Sequence, residues 1–281
     1  MSTATRLNEA TPATGTVSVT ATNVRRNFGS RRAPFVAVDD VSLTVTSSSS
    51  IGIVGESGSG KSTLSRLLVG LDRPTSGSIG LDGVVTEGRP SAEVGALAAS
   101  PRGNRQLRRV VQFVGQDTSG SFDPRWTLRQ AVRRPAQQLR GLSAAEADAE
   151  IDELLVELGL DPATADRHPG QVSGGQRQRF SLARGLIARP RILMCDEVVS
   201  ALDVSVQGAI LNLVKRYCRE HRCGLVFVSH GLPATAFVAD EIVVMNSGKV
   251  VEHGLSREVL KAPRHPYTES LVNAYRRGER T

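Results

Sequence analysis

The sequence predicts an α/β domain on a largely parallel sheet. Three observations predict it: strand-like and helix-like segments alternate through most of the chain, several strands are short all-apolar runs, and one long stretch lacks strands altogether. Alternation of this kind places helices over the faces of a sheet, and a wholly apolar run of about four residues is how a strand covered on both faces reads. Taken in order, Val17–Thr22 and Val41–Val45 show the period-two alternation of strands, and Ile51–Val54 is the first all-apolar run. A helix opens near Gly60, Pro74–Gly83 is turn-rich, and 87–104, dense in Gly, Ala, Ser and Pro, reads as a flexible insertion. After the strand Val110–Val114, the pattern from Asp117 to His168 is helical without intervening strands, which predicts a second, all-α subdomain inserted into the first. Its clearest helix starts at Ser143 with Glu146 three residues on, the capping-box spacing that satisfies two orphan N–H groups. Ile151, Leu154, Leu155 and Leu158 then share one face, and Gly159 ends the helix. Strand, helix and strand resume with Arg191–Cys195, Val204–Arg219 and Leu225–Ser229. Glu241–Met245 and Lys249–Glu252 form a hairpin across Asn246-Ser247-Gly248, and a short helical tail follows.

Composition bounds the function. A chain of 281 residues supports one large domain or two modest ones without disulfide or metal staples. Three cysteines, Cys195, Cys218 and Cys223, make neither a disulfide framework nor a CxxC zinc site, and fit a reducing compartment. The polar stretch 1–15 reads as a disordered tail and holds no secretory signal, and no apolar run approaches the ~20 residues of a spanning helix. The net charge of +7 comes from 31 Arg and 4 Lys against 28 acids, scattered as pairs such as Arg108/Arg109 and Arg133/Arg134. Without a block of like charge or aromatics for base stacking, nucleic acid is not the expected partner. Solvated faces, an anionic membrane surface or a partner protein suit the charge better.

Three segments carry chemistry. Gly55-Glu56-Ser57-Gly58-Ser59-Gly60-Lys61-Ser62, with Thr63 after it, matches the phosphate-loop pattern G-x-x-x-x-G-K-[ST] between a buried strand and a helix. Its glycines let successive N–H groups turn inward toward phosphate, and the helix N-terminus adds its positive dipole end. Lys61 is placed to reach the β- and γ-phosphates of a nucleotide, and Ser62 to ligate Mg²⁺. Arg191–Glu197 is an apolar strand ending in two acids, of which Asp196 suits the metal and Glu197 the attacking water. Third, Val172-Ser173-Gly174-Gly175-Gln176 precedes a helix some 20 residues ahead of Asp196.

That third segment closely resembles the LSGGQ signature of ATP-binding-cassette (ABC) ATPases, and further landmarks of that family stand in its order. Gln116 follows a strand where the family's glutamine loop lies, Ser200-Ala201-Leu202-Asp203 is similar to its D-loop, and His230 ends a strand like its switch histidine. Phe28 matches the aromatic that stacks on adenine. The resemblance runs from about Val17 to the C-terminus. It implies a RecA-like P-loop nucleotide-binding domain over 16–255, with an antiparallel β subdomain, a helical subdomain at about 117–172 and a C-terminal extension at 256–281. It also implies ATP and Mg²⁺ as cofactors, with Ser62, Gln116 and Asp196 at the metal and Lys61, Glu197 and His230 catalytic. Ser173, Gly174, Gly175 and Gln176 would meet an ATP held by a second ATPase subunit, identical or different. Four departures stand out: Val172 for the usual Leu, Val198-Val199 for Pro-Thr, Gly231 for an Asp, and Ser47–Ser50 for a Gly-Glu turn. None alters a phosphate or metal ligand, so nucleotide binding is expected to survive them, and the departures fall on segments tied to hydrolysis and D-loop coupling.

Two more segments resemble the di- and oligopeptide/nickel importer branch of the family: Ser121-Phe122-Asp123-Pro124-Arg125, like S-L-N-P-R, and His265-Pro266-Tyr267-Thr268. Pro266 by itself also reads as a Pro-fixed helix start. The absence of cysteine after Cys223 is similar to the short, F-type subunit of such importers. The expectation is an ATP hydrolase peripheral to the cytoplasmic face of the inner membrane, docked on two permease subunits and served by an extracytoplasmic substrate-binding protein. Trp126, the one tryptophan, is a candidate permease contact or a packed aromatic. The alternatives are a nickel or other small-solute importer and a soluble ABC ATPase acting on nucleic acid or ribosomes. A P-loop kinase has no use for Ser173–Gln176.

Overall fold

The computed structural model describes residues 15–30, 33–82, 92–93, 107–118, 120–200 and 204–278. The expected tail at 1–15, apart from Gly15, nearly all of the 87–104 insertion, and Ala201–Asp203 lie outside the described residues.

Strands β1 (Ser18–Ser30), β2 (Ala33–Thr46), β4 (Ser76–Asp82) and β5 (Ala92–Glu93) form an antiparallel sheet in the order β2-β1-β4-β5. Pro74–Gly83 is thus corrected from turn-rich to mostly strand. Its Ile79 and Leu81 alternate with Ser and Gly and are buried, a period-two pattern that the small residues obscured. The second sheet joins β3 (Ser50–Val54), β6 (Val111–Val114), β7 (Ile192–Asp196), β8 (Gly224–Ser229), β9 (Glu241–Asn246) and β10 (Lys249–Leu255) in the order β10-β9-β3-β8-β7-β6. It is parallel from β9 to β6, and β10 pairs antiparallel at its edge. Every residue of β7 and β8 is buried, as apolar runs covered on both faces require. At Gly52 a Cβ would lie 2.0 Å from the Thr235 side chain, so only glycine lets helix α6 (Leu232–Val238) lie this close to β3.

Helix α1 (Lys61–Leu68) follows β3. The helical insertion carries α2 (Leu128–Pro135), a π-helical turn at Ala136–Arg140, α3 (Ala144–Glu157) and two short 3₁₀ turns before α4 (Gly174–Leu186) returns the chain to the sheet. The capping box predicted at Ser143 is present in both directions, with Ser143 N–H donating to Glu146 Oε2 at 2.9 Å and Glu146 N–H to Ser143 Oγ at 3.3 Å. Thr127 with Gln130 forms another on α2. Ile151, Leu155 and Leu158 are buried, Leu154 packs partly buried beside them, and Gly159 has φ 66°, the left-handed turn that stops α3. Arginines hold the insertion from outside: Arg129 pairs with Asp152 and Asp166, Arg133 with Asp148, and Arg140 with Glu150, all at 2.6–2.8 Å. Part of the positive charge is therefore neutralised within the chain.

Beyond α5 (Val204–Glu220) and the β9–β10 hairpin, the tail contains two helices, α7 (Ser256–Lys261) and α8 (Pro266–Gly278). Three buried clusters result. One joins the helical insertion to the sheet, one joins both sheets and α1, and one packs the tail on β3 and β9.

Candidate functional site

In the parallel sheet Val54 is in register with Ser229, Asp196 with Val228, and Val114 with Cys195. The phosphate loop, Gln116, the acidic pair and His230 are therefore delivered to one edge of the sheet, the carboxyl end of its strands, where open α/β sheets bind ligands.

The loop needs glycine for two different reasons. Gly60 has φ 102°, and a Cβ there would sit 2.2 Å from the Ala37 carbonyl, so the turn into α1 has no room for a side chain. Gly58 has φ 80°, and a Cβ there would meet nothing within 4 Å, so the loop faces open space at its crown. Lys61 is buried, and its Nζ donates to the carbonyl oxygens of Gly55 and Glu56 at 2.8 and 2.7 Å and to Ser59 Oγ at 3.3 Å. Burial lowers the Lys61 pKa, against the pull of Glu197, Asp196 and Glu56. Ser62 Oγ donates to Asp196 Oδ1 at 3.2 Å, and Thr63 is part-buried one position on. Asp196 is itself buried, which raises its pKa, while the Ser62 bond opposes that rise.

Glu197 sits at φ 52°, a left-handed conformation that a glutamate adopts only at a cost of about 1–3 kcal/mol. Its N–H donates to the Val228 carbonyl at 2.9 Å, and its own carbonyl accepts from Ser200 Oγ at 2.8 Å, so the strained turn is held on both sides. The carboxylate then meets two side chains named from the sequence. Gln116 Nε2 donates to Oε2 at 2.6 Å, and His230 Nδ1 lies 3.6 Å from Oε1. The structure thus brings together Lys61, Ser62, Gln116, Asp196, Glu197 and His230. Gln116 reaches the site through Glu197.

Ser173 caps α4: its Oγ accepts from Gln176 N–H at 3.2 Å, and its own N–H donates to Gln176 Oε1 at 2.9 Å. Ser173 and Gly174 are exposed at that helix start, and none of the hydrogen bonds described for Ser173–Gln176 reaches the phosphate loop. Phe28 is 39% exposed on β1, with the Arg26 guanidinium 4.5 Å from its ring centroid and held there by Asp72. One face of that ring is covered.

Two of the four departures have local explanations. Ser47 Oγ accepts the Val17 N–H, Ser49 Oγ accepts the Thr46 N–H, and Ser50 Oγ donates to the Val238 carbonyl, so the serine turn satisfies backbone groups. Val198 and Val199 are buried in the core. Trp126 is half-buried with Arg134 stacked 4.6 Å from its ring. Sequence reasoning missed Tyr267, whose phenol oxygen accepts the N–H of Glu56 in the loop at 2.9 Å. The only available signal was the motif that contains it.

The residues fit Mg²⁺ and a nucleotide. A hydroxyl beside a buried carboxylate supplies hard oxygen donors, and among the described residues no group of three or more His, Cys, Asp or Glu is arranged to hold a metal ion. Mg²⁺ bound beside substrate phosphates is commonly held in this way, by one or two protein oxygens.

A phosphate loop, a strand-end acid pair and a helix-capping Ser-Gly-Gly-Gln on this sheet define a nucleotide-binding cassette. The chain belongs to the ABC transporter family, whose pattern matches residues 38–200. It is 37% identical to the di/tripeptide transport ATP-binding protein DppF of Pseudomonas aeruginosa over 251 residues, 89% of this chain and 75% of that protein. With the oligopeptide transport ATP-binding protein AppF of Bacillus subtilis it shares 37% identity over 238 residues, 85% of this chain and 70% of that one. Among solved structures, the dimeric ATP-binding cassette MJ0796 bound to ADP and Pi is similar with a TM-score of 0.74 and 28% identity, covering 85% of this chain and 99% of that chain. Among the described residues no helix is long and apolar enough to cross a membrane.

Proposed function

We propose that this chain is the ATP-hydrolysing subunit of a peptide importer, acting as one of two cassettes docked on a pair of membrane permease subunits at the cytoplasmic face. An extracytoplasmic binding protein presents the solute to that complex. The observation that carries the reading is the convergence of Lys61, Ser62, Asp196, Glu197, Gln116 and His230 at one sheet edge. The likeness to transport ATP-binding proteins of two bacteria supports the peptide cargo.

Hydrolysis of ATP to ADP and phosphate is here a matter of positioning and charge neutralisation. The N–H groups of Gly58–Thr63 and the start of α1 hold the phosphates, and Lys61 exchanges the Gly55 and Glu56 carbonyls for β- and γ-phosphate oxygens. Ser62, Asp196 and Gln116 would hold Mg²⁺, which when bound would supply charge neutralisation to the phosphates. Glu197 orients the attacking water through its carboxylate, which Gln116 steadies by its 2.6 Å hydrogen bond to Oε2. His230 contacts the γ-phosphate. Ser173 and Gly174, exposed at a helix start, and the part-buried Gly175 beside them offer hydroxyl and N–H donors to the γ-phosphate of the ATP on the other cassette. ATP thereby joins the two subunits and hydrolysis parts them. Phe28 stacks on adenine with its uncovered face.

Glu197→Gln tests the assignment. It should retain ATP binding, lose phosphate release by roughly a hundredfold or more, and accumulate as an ATP-bound dimer in size-exclusion chromatography. Near-normal turnover by this variant would refute the role of Glu197.

A further inference from the structure

We propose that Tyr267, on the first turn of the C-terminal helix α8, is a positioning residue for nucleotide binding. It fixes the peptide plane at the entry of the phosphate loop. The inference rests on the reading of that loop as the ATP site.

One peptide unit carries the argument. The Gly55 carbonyl accepts Lys61 Nζ at 2.8 Å, and the N–H across the same peptide bond, that of Glu56, donates to Tyr267 Oη at 2.9 Å. The Gly55–Glu56 peptide is thus held from opposite sides by the phosphate-binding lysine and a tail residue 211 positions away. Gly55 also has φ 153°, and a Cβ there would lie 2.2 Å from the Met245 carbonyl, so this plane is set within narrow steric limits. On the mechanism above, Lys61 leaves the Gly55 carbonyl when phosphates arrive. The phenol is then the side-chain partner that keeps the plane in place.

The tail is built to hold the phenol there. Glu252 on β10 accepts the N–H groups of Arg264 and His265, each at 3.0 Å, and His265 Nδ1 accepts the Tyr267 N–H at 3.2 Å. Pro266 opens α8 with φ preset for a helix. Val272 is buried in one apolar cluster with Val54, the residue immediately before Gly55, and Tyr267, Leu271 and Tyr275 pack against the same cluster. The helix that supplies the hydroxyl is therefore seated against the strand that supplies the loop.

The test is Tyr267→Phe in the full chain, which removes one oxygen and keeps the ring packed. Mg-ATP titration and steady-state hydrolysis should show Kd and KM rising about two- to tenfold, the value of one hydrogen bond. kcat at saturating ATP should stay within about twofold, and the melting temperature of the nucleotide-free protein within about 2 °C. Wild-type affinity in Tyr267→Phe overturns the proposal, as does a loss of affinity that only tracks a fall in the nucleotide-free melting temperature. Lys61→Ala measured alongside separates the two readings. If it binds Mg-ATP as the wild type does, the loop assignment itself fails. If it loses binding while Tyr267→Phe matches the wild type, only the role of Tyr267 fails.

Discussion

Lys61 shows how much of the site depends on a single side chain. Its ammonium is buried among carbonyl oxygens that a bound phosphate would replace, so its charge is already desolvated and aimed. Charge-assisted bonds are worth about 1.5–3 kcal/mol each, the upper end of which corresponds to about a hundredfold in affinity, and Lys61→Ala should weaken ATP binding by about ten- to a hundredfold. A fluorescent-nucleotide titration checks it, and affinity within a few-fold of wild type would exclude the phosphate-loop assignment. Glu197 teaches a different lesson at the same scale. The adjacent acids were legible as a pair at a strand end, but the left-handed backbone at Glu197 was not. Positive φ at a non-glycine residue leaves no mark in the sequence. Here it is imposed by the bonds to Val228 and Ser200, and it accompanies the turn that carries the carboxylate to Gln116 and His230.

At the scale of elements, helix starts were the most legible features and small-residue strands the least. Ser143 and Glu146 announce α3 because capping is a local interaction with fixed spacing, and the structure shows both of its bonds. Ser143→Ala should destabilise the chain by about 1 kcal/mol in a denaturant titration with the m-value unchanged; a loss of less than a few tenths would mean that the cap is frayed in solution. Strand β4 escaped because its Gly and Ser residues read as turns, and only pairing with β1 makes Ile79 and Leu81 the inner face. The anchor of the tail can be tested by pH. Burial works to raise the Glu252 pKa, but its hydrogen bonds, including those from the Arg264 and His265 N–H groups, outweigh burial and hold the carboxyl below the usual glutamate value. A lowered folded-state pKa means the anchor is fully present above the unfolded value of about 4.3 and is lost as pH falls through the lower one. Between about pH 5 and 3 the wild-type melting temperature should therefore fall more steeply than that of Glu252→Gln. Parallel curves would show that Glu252 anchors nothing.

For the whole molecule, the proposed function sets the exposed helix start at Ser173 against the nucleotide of a second cassette. Ser173→Arg should leave Mg-ATP binding to the monomer within about threefold and abolish the ATP-dependent dimer that Glu197→Gln accumulates, because a bulky side chain then stands where donors must meet phosphate. Light scattering with and without Mg-ATP measures this, and an unimpaired dimer would rule out the signature contact. The net charge of +7 also reads differently at this scale. Arg129, Arg133 and Arg140 bind acids of the helical insertion, so they hold the subdomain together and do not form a free basic face.

The sequence by itself determined the nucleotide chemistry and the family. The phosphate loop, the strand-end acids and the helix-capping signature are each contiguous runs of a few residues whose types and spacing can be read directly. Tertiary structure alone decided how those pieces meet. Gln116 on Glu197, Ser62 on Asp196 and Tyr267 on Glu56 join residues 81, 134 and 211 positions apart. Such contacts follow from sheet register and from the seating of the tail on β3, and a hydrogen bond between distant segments has no periodicity or spacing by which a sequence could announce it.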